Sequence, residues 1–87
     1  MPSKEPSALF TFDTPRSVLL AEQVLRRALI EHEEMLPPVD LEAGCDVALR
    51  LPLAEMYEAI GALTTDNAGW QAVYQLGEQQ EVVARLG

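Results

Sequence analysis

Hydrophobic and polar residues follow two different periods along the chain, and these periods predict four strands and two helices. Strands are predicted where apolar residues alternate with polar ones, or where a short apolar run is bounded by turn-forming residues. Helices are predicted where apolar residues recur every three or four positions. In chain order, the predicted elements are a strand at 8–12, a helix at 15–30, a strand at 33–36, a strand at 46–51, a helix at 52–63 and a strand at 70–76.

The order of these elements is that of the ferredoxin-like βαββαβ fold. The sequence therefore predicts an α+β domain in which a four-stranded antiparallel sheet carries two helices on one face. The first and third strands are expected at the centre because they are the most apolar, and the charged second strand is expected at an edge. On the last strand, the apolar side chains at positions 70, 72, 74 and 76 are expected to face the helices.

Proline, serine and glycine mark the expected boundaries of this domain. Residues 1–7 contain two prolines and two serines, which predicts a flexible N-terminal lead-in. Residues 8–77 are expected to form a single ferredoxin-like domain, which is all that a chain of 87 residues can support. After Gly77, residues 78–87 are expected to form either a short C-terminal helix or a tail.

The charge balance excludes two classes of partner. Fourteen Asp and Glu residues against six Lys and Arg residues give a net charge of −8. Binding to nucleic acid or to an anionic membrane surface rests on cationic side chains, so neither partner is expected. No apolar run approaches the ~20 residues that cross a bilayer, and the N-terminus lacks the apolar segment of a signal peptide. The protein is therefore expected in the cytoplasm.

Cys45 is the only cysteine, so no internal disulfide is expected. It follows Gly44 at the junction between a loop and the predicted third strand, and it shares the parity of Val47 and Leu49. This parity indicates a small buried side chain, as free cysteines commonly are. The alternative interpretation is a nucleophile or sulfur acceptor, which needs a thiolate. Nearby acidic residues disfavour a thiolate, so this role requires an arginine brought close by the fold. The acidic neighbours are Asp40, Glu42 and Asp46, and the candidate arginines are Arg16, Arg26 and Arg27.

Three further groups have both a chemical and a structural interpretation. His32 is expected to be a solvated side chain at an acidic helix end, because the sequence has no second histidine to complete a metal site. The acidic loop at 40–46 lacks the spacing of an EF-hand calcium loop. The side chains of Tyr57, Trp70 and Tyr74 are expected to pack in the core rather than to hold a cofactor. No metal and no cofactor is therefore expected.

Four segments carry a resemblance to a known family. They are Phe10-Thr11-Phe12-Asp13-Thr14-Pro15, Ala21-Glu22-Gln23-Val24-Leu25, Leu36-Pro37-Pro38-Val39 and Gly44-Cys45-Asp46-Val47-Ala48-Leu49-Arg50. From Leu9 onward, the chain resembles the family described as putative selenium/sulfur carrier protein-like, whose members are short bacterial proteins. The resemblance implies that Cys45 accepts sulfur or selenium, as a persulfide or selenide, and hands it on.

The resemblance also implies a protein carrier rather than a turnover enzyme, with a sulfur-trafficking protein or a larger enzyme as its partner. A half-open sheet is also able to pair with a second copy, so a homodimer is a further expectation. The alternative function is a non-catalytic binding or protein-assembly module in which Cys45 is structural. The exposure of Cys45 separates these functions, since burial under the helices opposes the carrier role and exposure beside an arginine favours it.

Overall fold

The computed structural model describes residues 6–87, and it confirms the α+β class. The elements are β1 (Ser7–Thr11), α1 (Pro15–Arg27), β2 (Glu33–Met35), β3 (Ala48–Pro52), a 3₁₀ turn (Leu53–Glu55) that leads into α2 (Met56–Thr65), β4 (Ala72–Leu76) and β5 (Val82–Arg85). Most of the lead-in predicted for residues 1–7 lies outside the described residues, and Ser7 already belongs to β1.

The sheet is antiparallel and has five strands, in the order β2-β3-β1-β4-β5. The first and third strands of the chain lie inside the sheet and β2 lies at an edge, as the pattern predicts. The prediction of four strands is wrong, because residues 82–85 form β5 instead of a short helix or tail. A hydrogen bond from the backbone N–H of Gly77 to the carbonyl of Glu81, at 2.8 Å, closes the hairpin that places β5 beside β4.

Helix α1 has a well-defined start and end. The hydroxyl of Thr14 accepts a hydrogen bond from the backbone N–H of Ser17 at 3.2 Å, and Pro15 occupies the first turn. The helix ends at Arg27 rather than near residue 30, because Leu29 adopts a left-handed conformation with φ of 60°. The N–H of Ile30 then bonds to the carbonyl of Leu25 at 2.9 Å, as in a Schellman motif. Among residues 6–87, no helix is long and apolar enough to cross a membrane.

The main core lies between the helices and one face of the sheet. Its largest buried side chains include Phe10, Phe12 and Leu25, and buried residues of both helices belong to the same cluster. A smaller cluster lies on the other face of the sheet, around Leu9 and Leu76. Both layers exclude water, so the central strands are covered on both faces.

A row of five side chains across the sheet explains how the second face is covered. The strand register aligns Glu33, Arg50, Leu9, Tyr74 and Arg85 on neighbouring strands. The guanidinium of Arg50 bonds to the carboxylate of Glu33 and to the side-chain oxygen of Gln80. The guanidinium of Arg85 lies 5.9 Å from the centre of the Tyr74 ring. Leu9 is fully buried, because Met35, Leu41 and Tyr74 pack against its cluster on this face.

The predicted facing of β4 is wrong. Val73 lies opposite Phe10 and belongs to the helix-side core, whereas Tyr74 and Leu76 face the other side. Trp70 lies before the strand begins, and its ring packs edge-to-face on Phe10 at 6.0 Å between ring centres. The cause is β5, which makes β4 an interior strand. Both faces of β4 are then buried, so the residue pattern along β4 no longer shows which face meets the helices.

Candidate functional site

Cys45 lies in the irregular segment of residues 36–47 that joins β2 to β3, here called the Cys45 loop. Its side chain is 6% exposed and belongs to the helix-side core cluster. The expectation that Cys45 is a small buried side chain is therefore confirmed. In the same loop, Leu36 and Val39 are exposed, whereas Leu41 and Val47 are partly buried against the core clusters.

Gly44 anchors the Cys45 loop against the end of β1. A Cβ atom at position 44 would lie 3.0 Å from both the Cα and the carbonyl oxygen of Asp13. The Cα atom of Cys45 therefore lies within about 8 Å of the Cα atom of Asp13, since consecutive Cα atoms are about 3.8 Å apart. Only glycine permits this approach of two backbone segments without a shift.

The contact between Gly44 and Asp13 brings Cys45 towards the N-terminal end of α1. The first turn of α1 contains Arg16 and no acidic residue. Asp13 and Asp46 lie in the same region, one shortly before this helix and the other directly after Cys45. Of the three candidate arginines, the fold thus places Arg16 in the helical turn next to the loop.

The side chain of Gln71 fastens the Cys45 loop to the start of β4. Its Oε1 atom accepts a hydrogen bond from the backbone N–H of Gly44, and its Nε2 atom donates one to the carbonyl of Glu42, each at 3.1 Å. The backbone N–H of Gln71 donates to the carbonyl of Thr11 at 2.7 Å, which fixes the position of this residue. Sequence reasoning missed this role, since a polar residue in a strand pattern resembles any solvent-facing side chain.

His32 lies in a separate acidic region between α1 and β2. Its Nδ1 atom is 2.9 Å from the carbonyl oxygen of Ile30. Nearby, the pKa of Glu22 is raised, first by desolvation and then by a hydrogen bond and charge repulsion from Glu34. Within the described part of the chain, no three His, Cys, Asp or Glu side chains are placed to hold a metal ion, and this covers the acidic loop 40–46 as well.

The three aromatic side chains do not form one site. Trp70 packs on the helix side of the sheet, and Tyr74 lies on the opposite face. Tyr57 is 81% exposed on α2, where Ala59 takes the buried position instead. The core packing expected for Tyr57 is therefore wrong, and these rings are too dispersed for an aromatic cofactor box.

An open groove of about 220 Å³ lies beside the C-terminal ends of the two helices. Its lining includes Leu20, Val24 and the ion pair between Arg27 and Asp66, whose charged atoms are 3.9 Å apart. Because this pair is exposed and already satisfied, the groove offers few free polar groups to orient a ligand.

The family model described as "Putative Se/S carrier protein-like" matches residues 7–75. The matched segment runs from the start of β1 into β4 and ends one residue before the end of that strand, so it contains both Cys45 and Gln71, and it stops before β5. No curated protein matches the chain.

Proposed function

The chain belongs to the "Putative Se/S carrier protein-like" family, and on that premise we propose that it carries a sulfur or selenium atom on Cys45. The observation that carries this proposal is the position of the only thiol. Cys45 lies inside the family match, in an irregular loop, beside a helix N-terminus whose first turn contains Arg16 and no acidic residue. A regular strand or helix would hold this side chain far more tightly in the core.

The proposed chemistry is a transfer of sulfur between thiols. The Cys45 thiolate attacks the terminal sulfur of a protein persulfide, such as one formed on a cysteine desulfurase. A sulfur–sulfur bond forms at Cys45 as the sulfur–sulfur bond of the donor breaks, and the donor cysteine leaves as a thiolate. The terminal sulfur keeps its oxidation state, so the step needs no external oxidant or reductant. Attack by an acceptor thiolate on the Cys45 persulfide then passes the atom on in the same way.

Burial of Cys45 makes this transfer conditional on movement of the loop. A thiol that is 6% exposed cannot be reached in line by a protein persulfide. Irregular segments open locally at a lower free energy than the whole domain, because fewer buried contacts must be broken. The carrier is therefore closed at rest, and opening of the Cys45 loop exposes the thiol.

Intact-mass analysis tests the proposal directly. The protein is incubated with a cysteine desulfurase and L-cysteine, and its mass is measured without reductant. We expect an increase of one sulfur atom that dithiothreitol reverses, and the single cysteine assigns this increase to Cys45 without peptide mapping. Cys45→Ser is the matched control, because it keeps nearly the same volume and lacks the nucleophile. No adduct on the wild-type chain, with the desulfurase shown active on a known acceptor, contradicts the carrier function.

A second function is supported by the burial of Cys45 together with the apolar outer strand. Val83 is 56% exposed and Val82 is 38% exposed on β5, at the edge of the sheet. An exposed edge strand can pair with another chain, which fits a binding or assembly module with a structural cysteine. Equilibrium sedimentation measures the oligomeric state, and a homodimer that Val83→Lys dissociates favours this function. A monomer that also captures no partner in a pull-down opposes it.

A further inference from the structure

We propose that Gln71 is a latch that holds the Cys45 loop closed and sets how often the thiol is accessible. This inference rests on the proposed function for its biological meaning, since it concerns regulation of the same cysteine. The geometry that carries it is the pair of hydrogen bonds from one side-chain amide to the backbone on both sides of Ala43. Within residues 6–87, these two bonds are the hydrogen bonds that tie the Cys45 loop to another element.

The latch consists of two hydrogen bonds, which can hold the loop closed and can break without unfolding of the domain. Both functional groups of the Gln71 amide are used, and both loop partners are backbone atoms, so release of one side chain frees the loop at Glu42 and Gly44 together. The side chain is exposed, so water replaces both bonds when the latch opens and no buried polar group is left unpaired. The remaining contacts that close the loop are the packing of Cys45 and Val47 on the helix-side core, the packing of Leu41 on the cluster of the other face, and the close approach of Gly44 to Asp13.

The backbone of Gln71 stays in place when its side chain releases the Cys45 loop. The backbone N–H of Gln71 is bonded to the carbonyl of Thr11, and the next residue, Ala72, begins β4. The side chain therefore reaches to an irregular loop from the residue directly before an interior strand. Loss of its amide removes the connection between loop and strand without changing the strand register.

Alkylation of Cys45 by iodoacetamide tests the latch without any sulfur donor. Under native conditions, we expect Gln71→Ala to be alkylated about 5- to 140-fold faster than the wild type, the range that two net hydrogen bonds represent. Gln75→Ala is the control with the same chemical change, because Gln75 lies in β4, four residues beyond Gln71, and its side chain makes no hydrogen bond to the described residues. A rate increase below twofold, or one equal to that of Gln75→Ala, overturns the proposal.

Hydrogen exchange at the amide of Gly44 provides a second measurement. In the wild type this N–H is bonded to Gln71, so we expect it to be protected, and we expect the protection to disappear in Gln71→Ala only.

The alkylation rate should also be insensitive to low urea concentrations, because the loop opens locally. A rate that rises with urea as steeply as global unfolding overturns the latch.

The outcomes separate the latch from the carrier function. Faster alkylation of Gln71→Ala without any persulfide adduct supports the latch and refutes the carrier. A persulfide adduct that forms equally fast in the wild type and in Gln71→Ala, with equal alkylation rates, supports the carrier and refutes the latch.

Discussion

Replacement of Gly44 by alanine tests how closely the Cys45 loop is packed against β1. The added Cβ would lie 3.0 Å from the Cα and from the carbonyl oxygen of Asp13, so the contact is with backbone that cannot rotate away. Gly44 does not have a positive φ, so alanine meets no conformational barrier of its own. The loop must therefore shift by a few tenths of an ångström, and Cys45, the next residue, must shift with it.

The expected cost follows from two opposing effects. Overpacking of a close contact costs about 1–3 kcal/mol, and the smaller unfolded-state entropy of alanine returns about 0.4–1 kcal/mol. The midpoints of these two ranges give an expected decrease of about 1.3 kcal/mol in the free energy of unfolding of Gly44→Ala, which lowers the melting temperature by about 5–10 °C in a domain of this size. We also expect faster alkylation of Cys45, because the same shift loosens the loop.

Urea denaturation followed by fluorescence of the single tryptophan, Trp70, measures this loss. Gly61→Ala is the matched control: Gly61 is exposed in α2, and an added Cβ would meet nothing within 4 Å. That substitution should raise the free energy of unfolding by about 0.5–1 kcal/mol, since alanine is the better helix former. The same chemical change thus has opposite signs at the two sites. Equal or greater stability of Gly44→Ala than of the wild type would refute the close packing of the loop.

Two further predictions concern Leu29, at the C-terminal end of α1, and Glu22, in the acidic region near His32. Leu29 is 90% exposed and has φ of 60°, so Leu29→Gly should raise the free energy of unfolding by about 0.5–1 kcal/mol in urea denaturation, whereas Leu29→Ala should not. Equal effects of the two substitutions would show that the left-handed conformation carries no strain. Burial is the largest cause of the raised pKa of Glu22, and the hydrogen bond and negative charge of Glu34 raise it further. Because the pKa is higher in the folded state, the contribution of Glu22 to stability is present at low pH and is lost as the pH rises through this raised pKa. The stability of Glu22→Gln relative to the wild type should therefore increase as the pH rises above the ordinary glutamate pKa of about 4.3, and a pH-independent difference would contradict the shift.

Local patterns were sufficient where one face of an element is buried and the other is solvated. Helix α1 begins at Pro15 as its capping sequence predicts, and β2 lies at an edge as its charges indicate. The pattern was insufficient at the C-terminus. Residues 78–87 contain only four apolar side chains, Val82, Val83, Ala84 and Leu86, and such a short segment fits either period. Pairing with β4 determines that part of it is a strand.

Some features of the candidate site can likewise be predicted from the sequence, and others cannot. The position of Cys45 as the only thiol, its parity with β3 and its acidic neighbours can be read from the sequence. The contacts that close the loop cannot, because Gly44 and Asp13 are 31 positions apart, and Gln71 is 27 positions beyond Gly44. An isolated glycine or glutamine carries no signal that its partner is a distant backbone segment.

The sequence by itself determined the α+β class, the two helices and the inner position of the first and third strands, and it favoured a buried over a reactive thiol without deciding between them. These properties follow from hydrophobic periodicity, which acts within about ten residues. Only the tertiary structure decided that β4 is an interior strand, that Val73 rather than Tyr74 faces the helices, and that Gln71 holds the Cys45 loop. Those properties depend on which segments meet after folding. Strand pairing and side-chain hydrogen bonds are made between residues whose separation in sequence has no fixed period.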